Sequence, residues 1–544
     1  MAEPDAQSEG QRSVAIPQGL GLSRLAGAAL FTGLFLCVLM GALDQFVVLT
    51  ALPSIAKDLG DVSGTTFVVS AFLIAATVSI PIFSKLSDLY SRRNVFLASL
   101  GIFITGSVLA GASQTLGELV AFRAIQGFGS GAFFPVSLSI IAAVFDPATR
   151  ARLTGPMTGV FALASVAGPL VGSAILDATT WRWIFYINLP VGIIGIVILT
   201  TSVGPLFGRR AERFDLVGGA LLTSWVGGLL FALFQVSNGL WQWSDLRFLG
   251  LLTGSGVLLA AFVVVELRSA DPLVPLHSLR NRTVAATSFV GAVRGALVFG
   301  LLTFVTILVG WLALTQGLNP GNTTRDVLYF FAFPATIGGI LGGVLAARPA
   351  RSFRPFVTGG MLLMAIGLLE FTRLSVFTPL WQFTDGVLPT GGLTLPMIPF
   401  GFGMGLTVTP TILAMQFQFR ARDVGVGTGL LAFMMSLGGG VGLALLSAFQ
   451  SWELSRLSPP PLSSACAGPG STPAACEPSL LAYHQALASA LVSSLVDVFA
   501  AMLLFALLAS AVSVFIRGRA PARASPRAGA ETKCPSGARQ PEAD

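Results

Sequence analysis

The sequence predicts an all-α, polytopic membrane protein with fourteen transmembrane helices. Three observations carry that reading: 53% of the 544 residues are hydrophobic, only 10% are charged, and the apolar residues gather in long unbroken runs. Soluble domains carry about 25% charged residues, whereas one helical crossing of a bilayer needs about 20 apolar residues. In lipid every backbone N–H and C=O must be paired within the chain, so only helices and closed barrels can span. Runs of this length, without the alternation of a barrel strand, exclude the barrel.

Taken in order, the runs lie at about 26–51, 65–84, 95–113, 118–144, 153–177, 183–203, 215–236, 247–266, 285–311, 327–347, 355–375, 387–416, 425–450 and 487–516. An even count returns both termini to one side, and basic residues in short loops mark the cytoplasmic side. Lys85, Arg92, Arg93, Arg150, Arg152, Arg209, Arg210, Arg280, Arg282, Arg348, Arg351 and Arg420 fall with the termini, whereas Lys57, Arg182, Arg247, Arg325, Arg373 and Arg456 fall opposite. Over all 32 basic residues the bias is about fourfold, so both termini are expected in the cytoplasm. The net charge of +7 is thereby spent on topology in a lipid bilayer, and no nucleic-acid partner is expected.

Residues 1–24 hold Glu3, Asp5 and Glu9 instead of a basic leader, which makes the first run a retained span. His277 and His484 lie far from any cysteine, so no metal site is expected. No Gly-rich Lys-Ser/Thr phosphate loop and no nucleophile–base pair is present; neither ATP, a cofactor nor an enzyme activity is expected. The segment 451–486 is the longest outside loop and holds Cys466 and Cys476, which form either one local disulfide or two unpaired thiols. The tail 517–544, rich in Arg, Pro, Ala and Gly, is expected to be disordered at the cytoplasmic surface.

Charges inside spans carry the functional reading, because a charge at the bilayer centre costs about 2.5–3.5 kcal/mol on insertion scales and must pair, protonate or face water. Asp44 stands in a first span otherwise without charge, and Arg123 stands near the outer end of the fourth. Counting from the outer ends puts both at similar depth, roughly 8–11 Å down at 1.5 Å per residue. The pair is read as a proton-coupling site in which protonation of Asp44 alters its relation to Arg123. A static pair, or Asp44 reaching back to the outer surface, is the plainer alternative. Asp88 and Arg92, four residues apart after the second span, with Arg93 beside them, suit a gate latch: the acid can sit at a neighbouring helix N-terminus. Topology alone is the rival reading. Arg294, Asp497 and Gln126 are candidates for substrate or coupling contacts, and Glu370–Arg373 reads as a boundary ion pair. Gly155, Gly168, Pro169 and Gly172 in the fifth span permit close helix approach. The Leu and distal Arg of Ser84–Arg93 return in Gly343–Arg351, with Ala347 where Asp88 stands, which reads as an internal repeat.

Together these segments resemble the major facilitator superfamily, specifically its fourteen-helix drug:proton antiporter family. The likeness rests on Leu43-Asp44 through Ala51-Leu52-Pro53, on Ser84–Arg93 with Ser84 and Ser91 in place of glycines, and on Arg123-Ala-Ile-Gln126-Gly127-Phe-Gly129-Ser-Gly131. It extends through Gly155, Gly168-Pro169 and Gly172, with Ala164 and Ser173 in place of glycines, to Trp181–Gly192 with Asn188 and Pro190. The resemblance covers about residues 43–192. It implies two six-helix bundles, 25–203 and 285–516, with two linker helices in 204–284, and alternating access by rocking of the bundles. It implies export of an amphipathic small molecule or drug in exchange for protons, antiporter-type packing of the fifth span, and a bacterial inner-membrane location. A monomer is expected, with a periplasmic adaptor as the alternative. A dedicated exporter of one metabolite or an importer shares the fold; a channel lacks its ring of polar residues and a receptor its soluble domain.

Overall fold

The computed structural model describes residues 23–59, 65–202, 214–269, 271–315, 320–346, 352–373, 381–384, 388–392, 394–419, 423–458 and 473–518. In order they form α1 (Arg24–Leu59), α2 (Thr65–Leu89), α3 (Arg92–Ala112), α4 (Leu116–Ser130), α5 (Phe133–Val144), α6 (Pro147–Ala178), α7 (Trp183–Tyr186) and α8 (Asn188–Ser202). These are followed by α9 (Leu216–Ser237), α10 (Leu246–Arg268), α11 (Arg282–Thr315), α12 (Pro320–Ala346) and α13 (Arg354–Phe371). A hairpin of β1 (Trp381–Thr384) and β2 (Leu388–Gly392) precedes α14 (Thr394–Gln416), α15 (Val424–Leu457) and α16 (Pro473–Ser513).

Local chemistry sets several ends. The Thr115 hydroxyl accepts the Glu118 N–H and the Glu118 carboxylate accepts the Gln114 N–H, a reciprocal cap that starts α4. Asp215 and Asp245 cap α9 and α10 through the N–H groups of Gly218 and Arg247. At the end opposite the termini, Asp58 accepts from Trp181 Nε1 at 2.9 Å and Arg182 Nη1 at 2.7 Å, and Arg182 also donates to the Ser113 carbonyl. The hydrogen bond from Arg182 holds the Asp58 carboxyl below its usual range. This knot joins the far ends of α1 and α3 to the short α7.

Among the described residues, twelve helical stretches are long and apolar enough to cross a membrane. The two remaining expected spans are the helices α6 and α12, whose apolar described stretches, Ala167–Ala178 and Phe330–Ala346, are shorter. The fourth span runs Leu116–Val144, with Gly131 and Ala132, both in helical backbone conformation, between α4 and α5. Two expectations need correcting. The twelfth span does not begin at 387: residues 388–392 pair as a strand, in keeping with a Leu-Pro-Thr-Gly-Gly sequence that disfavours a helix, and the helix starts at Thr394. The outside loop is also narrower than 451–486, because α15 runs to Leu457 and the Ala- and Leu-rich stretch from Pro473 is already helical.

Helices α11–α16 share one apolar core around Leu297, Phe304, Phe400 and Phe499. A second core, around Leu34, Phe72, Phe103 and Phe133, belongs to α1–α8 and extends onto α9, α10 and the facing sides of α14 and α15. The α9 indole of Trp225 meets Phe433 of α15 edge-on at 6.5 Å, so α9 lies along the seam between the two helix groups, while α10 is largely exposed and suited to lipid. Hydrogen bonds across that seam include Asp88 with the Val426 N–H at 2.7 Å, Arg150 with Gln416 at 3.5 Å and Thr77 with Ser436 at 2.7 Å. They run from the end that carries the termini to about mid-depth. Burial in this seam depresses the Arg150 guanidinium below its ordinary value.

Candidate functional site

Helices α1, α3, α4 and α8 converge on one buried polar cluster. Small residues on α4 let it come so close: a Cβ at Gly127 would fall on the Phe72 carbonyl of α2, and one at Gly129 on the Phe103 backbone of α3. Arg123, one turn before Gly127, is thereby carried to Asp44 of α1. Its Nη1 lies 2.5 Å from Asp44 Oδ2 and also donates to Gln126 Oε1 at 2.7 Å. Asp44 Oδ1 accepts from Gln126 Nε2 at 2.8 Å and from Asn188 Nδ2 at 2.9 Å. Both amides also donate to Ser107 Oγ, at 3.1 and 3.0 Å, and that hydroxyl donates to the Phe185 carbonyl at 2.8 Å. Arg123 Nε reaches the Val68 carbonyl, and its guanidinium lies 4.1 Å over the Phe72 ring.

Asp44 is 3% exposed, Arg123 1% and Gln126 0%. A buried carboxylate is stable only when charge and hydrogen bonds replace its water. Here one cation and two amides do so, with Ser107 holding the amides. Among the described residues the cluster is therefore a closed set in which only the Arg123 charge balances the carboxylate. Gln126, a candidate for substrate or coupling contacts, is fully enclosed and donates to Asp44. Asn188 was noted only as part of the Trp181–Gly192 likeness, where it is the one amide, and Ser107 carried no signal in the sequence.

Asp88 and Arg92 form a second constellation at the end carrying the termini. Arg92 Nη2 lies 3.1 Å from Asp88 Oδ1, and its Nη1 donates to the Ser139 carbonyl at 3.1 Å. The other Asp88 oxygen takes the Val426 N–H in the first turn of α15, where Gly425 leaves room for the carboxylate. An anion at a helix N-terminus is favoured by the unpaired N–H groups and the dipole. Arg93 points elsewhere, to the Thr200 carbonyl at 3.2 Å.

The small residues of α6 divide between two partners. A Cβ at Gly155 would meet the Gly339 carbonyl of α12, across the seam, whereas one at Gly168 or Gly172 would meet Phe46 or Thr50 of α1. Pro169 lies inside α6 between these glycines. Arg294 is 2% exposed; its Nη2 faces Met435 Sδ at 3.6 Å and its Nη1 has no partner. Asp497 is half-buried, and the two do not pair. Glu370 and Arg373 form an exposed pair at 3.3 Å. Cys466 lies outside the described residues and the Cys476 side chain is not described, so their pairing is outside the structure's account.

The family model "Major Facilitator Superfamily" matches residues 34–443. The chain is 32% identical over 375 residues to the multidrug transporter protein MdtP of Bacillus subtilis, covering 68% of each chain. It is 31% identical over 343 residues to multidrug resistance protein 3 of the same organism, covering 63% of this chain and 66% of that one. The crystal structure of the human organic anion transporter MFSD10 (TETRAN) superposes with a TM-score of 0.54 at 16% identity, over 88% of this chain and 99% of that one, a likeness of fold alone. With the family model spanning most of the helices and the relatives being transporters and not enzymes, the chain belongs to the major facilitator superfamily.

Proposed function

We propose that the protein is a proton-coupled exporter of amphipathic small molecules, built as six plus two plus six helices in a bacterial inner membrane with both termini in the cytoplasm. The observation that carries the reading is the Asp44 cluster. A carboxylate that is 3% exposed and opposed by a single guanidinium has two stable descriptions: ionised and bonded as seen, or protonated with that bond weakened. Protonation removes the charge that holds Arg123, so the packing of α1 against α4 becomes the element that a proton biases. The multidrug names of relatives near 30% identity support export of drug-like molecules.

The seam supports a reading of this state as closed to the cytoplasm. Asp88 holds the start of α15, Gly155 abuts α12, and Thr77 meets Ser436, so α2 and α6 lie against the other half along that side. Opening inward must break the Asp88–Val426 bond, and the far side opens when these contacts form. Residues 25–203 and 285–516 would then be the rocking bundles, with 204–284 as the linker pair.

The test is proton-driven uptake of a fluorescent amphiphile into proteoliposomes with the wild type and Asp44→Asn. The variant, which keeps the shape but cannot change charge, is expected to lose at least about tenfold of gradient-driven transport while inserting normally. Undiminished driven transport by Asp44→Asn contradicts the reading.

A further inference from the structure

Arg294 lies twelve residues past the start of α11, about 18 Å into the bundle at 1.5 Å per residue. It occupies the fully buried stripe Val290, Leu297 and Leu301, where an uncharged residue would meet no cost. Unlike Arg123, it has no carboxylate. Among the described residues its guanidinium touches a thioether at Nη2 and nothing polar at Nη1. A thioether is a weak acceptor, and a charge held in an apolar interior without a counter-charge is strongly unfavourable.

We propose that Arg294 binds an anionic group of the transported molecule, a carboxylate, sulfonate or phosphate. A planar guanidinium receives two oxygens of such a group side by side, the strongest neutral-pH anion contact a side chain offers. The neighbours Leu297, on the same face of α11, and Met435 are apolar and suit the apolar remainder of an amphipathic anion. The substrate class is then amphipathic organic anions, and Arg294 alternates between a bound anion and the enclosed, unpaired state described here. This inference rests on the transport reading, and its test therefore includes a binding measurement that does not depend on transport.

The probes are 8-anilinonaphthalene-1-sulfonate and N-phenyl-1-naphthylamine, the same rings with and without the anion. Purified wild type, Arg294→Lys and Arg294→Met are compared by calorimetric Tm with each probe and with sodium sulfate, then by uptake of both probes into proteoliposomes. The expected results are a Tm rise with the sulfonate dye in the wild type, about tenfold or more weaker binding in Arg294→Met, an intermediate effect in Arg294→Lys, and unchanged handling of the neutral amine by all three. Equal response of wild type and Arg294→Met to the sulfonate overturns the assignment, as does a wild type that binds only the amine. An equal Tm rise from inorganic sulfate would make the site a structural anion site and overturn the substrate role. If Arg294→Met does not fold, the Arg294→Lys comparison decides. Sulfonate binding without uptake of either probe leaves Arg294 as the anion site and counts against the transport reading.

Discussion

Asp44 is held by Arg123, Gln126 and Asn188, and each donor does a different job. Arg123 supplies charge; the amides supply direction and are themselves fixed by Ser107. Because removing one partner of a buried pair strands the other, Arg123→Met is expected to cost about 3–5 kcal/mol of stability. Adding Asp44→Asn to Arg123→Met removes the stranded charge and is expected to recover more than half of that loss in thermal unfolding. Additive losses would show that the two side chains do not act as a pair. The pair itself was legible in the sequence because charged residues inside spans are rare and two at equal depth invite comparison. Gln126 was marked as a candidate contact, but the roles of Asn188 and Ser107 were not legible. Uncharged polar residues are common in spans, where most bond to their own helix, as Thr77, Thr287 and Thr411 do here to the carbonyl four residues back. Only tertiary packing aims Asn188 and Ser107 at the carboxylate.

Among the helices, the telling contact is that between the end of α2 and the start of α15. Asp88 answers the first-turn N–H of Val426 while Arg92 ties the same carboxylate to α3 and, through Ser139, to α5. Asp88→Asn keeps an acceptor but gives up the charge that the helix dipole and Arg92 favour, a loss of about 1 kcal/mol or more. That shifts the balance between seam-closed and seam-open states by about fivefold or more. The turnover number in proteoliposomes is expected to fall several-fold with unchanged membrane insertion; a normal turnover number would leave Asp88 a topology signal. Span positions were readable from hydrophobic runs, since the bilayer imposes its thickness on every helix. The β1–β2 hairpin and the early start of α16 were not, because each is settled by local turn and helix propensities at the edges of apolar runs. The glycines of α6 were legible as close-packing residues, but not their partners: Gly155 serves the seam and Gly168 serves α1 beside Asp44.

Across the whole molecule, two helix groups with separate apolar cores meet along a seam that is bonded from the terminus-bearing end to about its middle. The Asp44 cluster lies wholly inside one group, so on the proposed reading a proton taken up there would act on how α1 packs against α4. Gly168 and Gly172 connect α1 to α6, and α6 reaches the seam at Gly155. That chain of packed helices is the physical route from carboxyl to gate in this account. Long apolar runs made the helical, membrane-spanning character legible from sequence, whereas the seam depends on pairings between residues hundreds of positions apart. The central claim, that the Asp44 carboxyl takes up and releases the coupled proton, is tested most directly by infrared difference spectroscopy of the reconstituted protein. A protonated-carboxyl carbonyl band is expected to grow in the wild type as pH falls through the range where driven transport responds, to shift when a transported amphiphile is added, and to be missing from Asp44→Asn. The same band in Asp44→Asn, with the same pH dependence, would contradict the account.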